Sequence, residues 1–151
     1  MPYHPMSDAE ARAFLTNDPP HTGKLATVRA DGRPHVAPVW FVVDPPRDGT
    51  GLGDVVFNTG ADSLKGRTLR RDPRAALCVD DEAPPFSFVI VEGAVSISED
   101  LDEVRHWATV IGGRYMGPER AEEYGKRNGV AGELLVRLHP THITSVADMA
   151  E

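Results

Sequence analysis

The stretch SLKGRTLRRDPR, residues 63–74, holds Lys65, Arg67, Arg70, Arg71 and Arg74 against one acid, Asp72, in a chain whose formal charge is −7. A solvated basic helix face is the plain explanation. The flanking residues support a sharper one. VVFNTG (55–60) is strand-like, Thr59 and Ser63 bring hydroxyls to the turn, and a helix then starts whose free N–H groups and dipole favour an anion. Lys65 and Arg67, two apart near that start, are expected to converge on one phosphate, Arg as a fork and Lys as a point charge. Leu64 and Leu69 anchor the helix, and the ring of Pro73 stops it by disfavouring helical geometry at Asp72.

Other chemistry is missing from the sequence. No G-x-G-x-x-G joins a strand to a helix, and GADSLKGR lacks the Gly-Lys-Ser/Thr ending of a phosphate loop. Of the histidines His4, His21, His35, His106, His139 and His142, only the last two are close, and Pro140 keeps them off a shared helix face, so no metal site is expected. There is no G-x-S-x-G elbow. The single cysteine, Cys78, lies in the apolar run AALCV and reads as a buried, inert thiol. The acids of DDEAPP sit in a proline-rich turn and read as solvent-facing. An enzyme built from this chain would take its chemistry from a bound cofactor.

The elements that must position these residues follow from local pattern. Ser7 and Glu10 have capping-box spacing for a helix over about 7–17. GKLATVR and HVAPVWFVV flank an Asp31-Gly32 hairpin turn. Pro38 inside the second strand implies an edge, a bulge or backbone exposed to a ligand. DPPRDGTGLGD (44–54) is a loop, and RAALCVDD and FSFVIVEGAVSIS are strands, Gly93 marking a bulge or bend. LDEVRHWATVIGGRYM is helical, weakened near its end by Gly112-Gly113, and PERAEEYGKRNG is a shorter helix ending near Gly125. GELLVRLHP and HITSV are two further strands. The sum is a mainly β, α+β chain: about six antiparallel strands closing a barrel, with helices packed outside. Its 151 residues form one domain, 1–151. A lone cysteine, no membrane-length apolar run and no leader pattern point to a cytoplasmic protein. Net negative charge argues against nucleic-acid binding, and one local basic patch suits a small anionic ligand.

The ordered set GKLATVRADGRPHVAPVWFVVD, VVFNTGADSLKGRTLRRDPRAALCV, FVIVEGAVSI, RYMG and ELLVRLHPTHI resembles the pyridoxamine 5′-phosphate oxidase-like split β-barrel proteins. More closely, it resembles their branch of F420 (deazaflavin)-dependent oxidoreductases, over about residues 20–147. That resemblance implies a six-stranded FMN-binding-type split barrel, a homodimer, and two cofactor sites at the subunit interface. It puts Ser63, Lys65 and Arg67 on the cofactor phosphate, the backbone of Pro38, Val39 and Trp40 along the ring, and Thr59 at the ring or its linker. Trp40 can equally belong to the barrel core. Arg114 and Tyr115 are candidates from the partner subunit, and Tyr115 is also a helix-packing residue. Arg70 and Arg71 either face solvent or, with Lys126 and Arg127, meet the acidic tail of F420. The implied activity is hydride delivery from reduced F420 to an unsaturated small organic substrate. An FMN-dependent oxidase or reductase of the same fold is the alternative, and a non-catalytic flavin, haem or tetrapyrrole binder is a rival from another class.

Overall fold

A computed structural model describes residues 4–151. Helix α1 (Asp8–Leu15) starts on the expected capping box: the Ser7 side chain accepts from the Glu10 N–H, and the Glu10 carboxylate accepts from the Ser7 N–H. Ala11 and Leu15 form its buried stripe. The hairpin β1 (Gly23–Val28) and β2 (Pro34–Val39) turns through Gly32, whose φ of +88° few other residues adopt. There follow β3 (Val42–Asp44), β4 (Asp54–Gly60), α2 (Leu64–Arg71), β5 (Arg74–Asp80) and β6 (Phe88–Ser98). The chain ends with α3 (Leu101–Met116), a 3-10 turn at Pro118–Arg120, α4 (Ala121–Asn128) and β7 (Glu133–Val146).

One seven-stranded sheet has the order β2-β1-β5-β6-β7-β4-β3, antiparallel throughout. The sheet has seven strands where about six were expected, and two of the segments read from the sequence are redrawn in opposite senses. The run at 35–43, expected as one strand, breaks at Trp40–Phe41, and its halves serve opposite edges of the sheet. Val39 and Phe41 are both buried there, and the Phe41 N–H goes to the Tyr115 hydroxyl instead of a neighbouring strand. Conversely, residues 133–146 form one strand of 14 residues, not two. Pro140 is accommodated because it lies opposite Gly93 at a shift of register. A Cβ on Gly93 would fall 1.9 Å from the His139 carbonyl oxygen, so the bulge read at that glycine is sterically fixed.

Two apolar clusters share β4 and β7. Leu25, Phe41, Phe57, Leu77, Val91 and Leu138 fill the interior. On the opposite face Val42, Val56 and Leu135 pack under Val104 and Ile111 of α3. Helix α3 runs through Gly112-Gly113 to Met116, as expected, without a break at the glycines. Gly112 seats α4: a Cβ there would lie 2.4 Å from Tyr124 Cβ. Gly125 likewise sits within α4 and admits Thr109, whose Oγ1 would be 2.0 Å from an added Cβ. Elsewhere the outward face of β1, β2 and β5 presents Ala26, Ala76, Val36 (63% exposed) and Val28 (38% exposed), with the charged Lys24, Arg74 and Asp80 on the same face. Cys78 is on this face and half-buried, less enclosed than expected, because alternation along β5 sends Leu77 and Val79 inward and Cys78 out. Among the described residues no helix is long and apolar enough to cross a membrane.

Candidate functional site

Strand β3 pairs with β4 from Val42↔Val56 to Asp44↔Asp54 and goes no further. Extending that register backwards would set Trp40 against Asn58 and Pro38 against Gly60, but the chain has already peeled away. The gap is a groove of about 350 Å³. Pro38, Val39 and Trp40 form one wall, while Asn58, Thr59 and Gly60 form the other. Ile111, Asn128 and Glu133 line it from α3, α4 and β7, and Ser63 and Lys65 close one end. Pro38 has no N–H to lose to a strand neighbour at this point, which is why the wall tolerates it.

The helix start at that end is tightly built. Ser63 Oγ accepts from the Gly66 N–H (3.0 Å) and donates to the Gly60 carbonyl (2.7 Å). Its contact with Thr59 Oγ1 (3.0 Å) therefore has Thr59 as the donor. Gly66 is required, since a Cβ would fall 2.2 Å from the Gly60 carbonyl oxygen. The first turn of α2 contains no acid; it carries Lys65, a cation where the dipole favours an anion. Such a helix start is suited to a negatively charged ligand group.

Glu133 is the groove's other charged residue. Burial pushes its carboxyl above the usual range, and the charge of Lys65 pulls it partly back. Among the described residues its Oε2 and Asn58 Nδ2 are buried without hydrogen-bond partners. Buried polar atoms are ordinarily paired, so the groove offers an unmatched donor and an unmatched carboxyl beside a lysine. A phosphate-bearing ring cofactor fits this donor set: Lys65 and the helix start suit the anion, Asn58 suits a ligand oxygen, and the edge-strand wall of 38–40 suits a flat ring.

The structure gathers Pro38, Val39, Trp40, Thr59, Ser63 and Lys65 into this one groove. Arg67 is not with them. Two positions along an α-helix differ by roughly 200°, so Lys65 and Arg67 do not converge. Arg67 lines a second cleft of about 360 Å³ with Arg29, Asp31, Arg33, Leu64, Thr68 and Arg71. There Asp31 pairs with Arg33 (2.7 Å), and Arg71 donates to the Val28 carbonyl. Thr68 Oγ1 and Arg29 Nε are buried there without partners among the described residues. Arg70 lies in neither cleft and pairs with Glu99.

Arg114 and Tyr115 do not line the groove of their own chain; they brace its wall from behind. Arg114 donates to the Phe41 and Leu15 carbonyls, both at 2.6 Å, with its guanidinium 4.8 Å from the Phe41 ring centroid. The Tyr115 hydroxyl donates to the His21 carbonyl (2.7 Å) and accepts from the Phe41 N–H (3.2 Å). Burial pushes the Tyr115 phenol up and the Arg114 guanidinium down. Trp40 is half-buried and packs against the cluster under α3, not in the interior expected for a barrel-core residue. It lines the groove and also stacks on Tyr115, with centroids 5.0 Å apart and planes 3° apart.

Asn58, Ile111, Asn128 and Glu133 escaped the sequence reading. A signal existed for two of them: Asn58 is a polar residue mid-strand, and Glu133 is an acid opening an apolar one. Outside the groove, His139 is engaged by Asp54 (3.0 Å) and Ser96 (2.8 Å). The Cys78 thiol is raised by burial and by Asp80, against a lowering from Lys24.

Residues 7–147 match the family described as pyridoxamine 5′-phosphate oxidase. The chain is 30% identical over 109 residues to the F420H(2)-dependent biliverdin reductase of Mycobacterium tuberculosis, covering 72% of each protein. It is 28% identical over 127 residues to a 5a,11a-dehydrotetracycline/5a,11a-dehydrooxytetracycline reductase of Streptomyces rimosus, covering 82% of this chain and 72% of the other. A solved structure titled F420 reductase superposes with a TM-score of 0.69 at 26% identity, covering 87% of this chain and 94% of that one.

Proposed function

Because the chain belongs to the pyridoxamine 5′-phosphate oxidase family, we propose that it is a reductase that uses reduced F420 to reduce an unsaturated small organic molecule. One observation carries this reading: a groove walled by the edge strand β2 ends at a helix start bearing Lys65. Relatives named for F420H(2)-dependent biliverdin reduction and for dehydrotetracycline reduction support it. They also suggest extended conjugated compounds as the first substrates to try.

When bound, the deazaflavin supplies the hydride. The chain's own work is positional. Lys65 and the α2 start hold the phosphate, with Ser63 and Thr59 fixing that turn through their shared hydrogen bond. The backbone of Pro38, Val39 and Trp40 lies along the ring, and the stacked Trp40–Tyr115 pair keeps that wall rigid. The cleft of Arg29, Arg33, Arg67 and Arg71 takes the tail carboxylates, across the short helix that separates it from Lys65. Two copies associate through the open face of Val28 and Val36, so that the partner covers the ring.

Equilibrium titration with F420 and with FMN, followed by cofactor-absorbance turnover with biliverdin and dehydrotetracycline, tests this. Tighter F420 binding with oxidation of the reduced cofactor is expected. Tighter FMN binding would move the chain to the flavin-using alternative, and binding of F420 without turnover would make it a carrier.

A further inference from the structure

Among the described residues, Lys65 and Glu133 are the only charged ones lining the groove. Arg67 is spent on the other cleft. Around Glu133, β4 contributes Asn58 and Gly60, α3 contributes Ile111 and α4 contributes Asn128, none of them charged. Of α4's basic residues, Arg127 instead sits 5.3 Å from the Tyr124 ring centroid. Glu133 thus faces one cation, Lys65, and has one carboxyl oxygen buried without a partner among the described residues. The groove is therefore close to neutral when both residues are ionised, despite the basic segment beside it.

That balance bears on which phosphate it accepts. The phosphate of F420 is a diester with one negative charge. FMN carries a monoester, whose second ionisation near pH 6 makes it a dianion at higher pH. Against an opposed Lys65–Glu133 pair, a second ligand charge gains little from the lysine that the carboxylate does not cancel. We propose that Glu133 is a specificity-determining residue that tunes the groove to a singly charged phosphodiester and against a doubly charged phosphomonoester. The inference rests on the phosphate end of the proposed function, and Asn58 supplies a neutral donor that serves either ligand.

The test compares wild type, Glu133→Gln and Glu133→Asp in titrations with F420 and with FMN at about pH 8, where the monoester is a dianion. Removing one opposing charge is expected to tighten FMN binding by about tenfold, the scale of one close charge pair in a partly screened site. F420 binding should change by less than about threefold on the same reasoning. Glu133→Asp, which keeps the charge, should retain wild-type selectivity. The FMN advantage of Glu133→Gln should shrink at about pH 6, as the monoester loses its second charge. Equal changes for both cofactors, or weaker binding of both, would overturn the charge preference while leaving the reductase reading intact. Failure of wild type to bind either cofactor would overturn both.

Discussion

Lys65 occupies a first-turn position where the helix dipole disfavours a cation, so its charge is better explained by a ligand than by stability. Lys65→Ala should weaken F420 binding by about 1.5–3 kcal/mol, the worth of a charge-assisted hydrogen bond, with an unchanged melting temperature. Unchanged affinity in a fluorescence titration would remove Lys65 from the site. Glu133 provides a second measurement. Its folded pKa is raised above the ordinary value of 4.5, first by burial, so the folded protein holds the proton more tightly than the unfolded chain. The stability it contributes is full below the ordinary carboxylate range and is lost as pH rises through the raised value. Glu133→Gln should therefore melt higher than wild type at about pH 8 and alike at about pH 4. A pH-independent difference would contradict this. At this scale the sequence revealed residue types but not directions. Ser63 as a cap and Lys65 in the first turn of a helix were legible. The divergence of Arg67 follows only once the helix is regular from its first turn, and the partner of Arg70, Glu99, lies 29 residues on.

Elements signalled by neighbouring residues were readable: the Ser7–Glu10 box, the Asp31-Gly32 turn, and a helix from Ser63 stopped by Pro73. Elements shaped by distant partners were not. The break at Trp40–Phe41 depends on Tyr115 and Arg114, more than 70 residues away, taking the Phe41 backbone groups. The continuity of β7 through Pro140 depends on Gly93 opposite it. Gly112 illustrates the same limit, since a glycine in a helical pattern reads as a local weakness until the helix packed against it is known. Gly112→Ala should destabilise the protein by about 1–3 kcal/mol, the usual cost of overpacking, because the methyl meets Tyr124 Cβ, the β-carbon of a buried residue. Chemical denaturation would register this, and a neutral result would show that α4 can slide along α3. Since Tyr124 also packs on Trp40, with centroids 5.8 Å apart, the variant should loosen the groove wall and weaken cofactor binding as well.

For the whole molecule, the uneven covering of the sheet matters most. Helices α3 and α4 shield one region, while Val36 and Val28 stay open on another. On the proposed association through that face, Val36→Glu should shift the protein towards monomer in sedimentation and reduce F420 affinity, although Val36 lines neither cleft. A dimer that survives the change would place the interface elsewhere. The groove's lining also has a distribution in time. Its walls come from residues 38–40 and 58–65, but Glu133 arrives with β7, the last strand, which is the partner β4 needs besides β3. A chain emerging from synthesis carries the basic helix α2 well before the acid that offsets it and the strand that closes the groove beneath it. On the proposed function, cofactor loading would wait for completion of the polypeptide, because until β7 is in place Lys65 lacks the carboxylate of Glu133 that faces it.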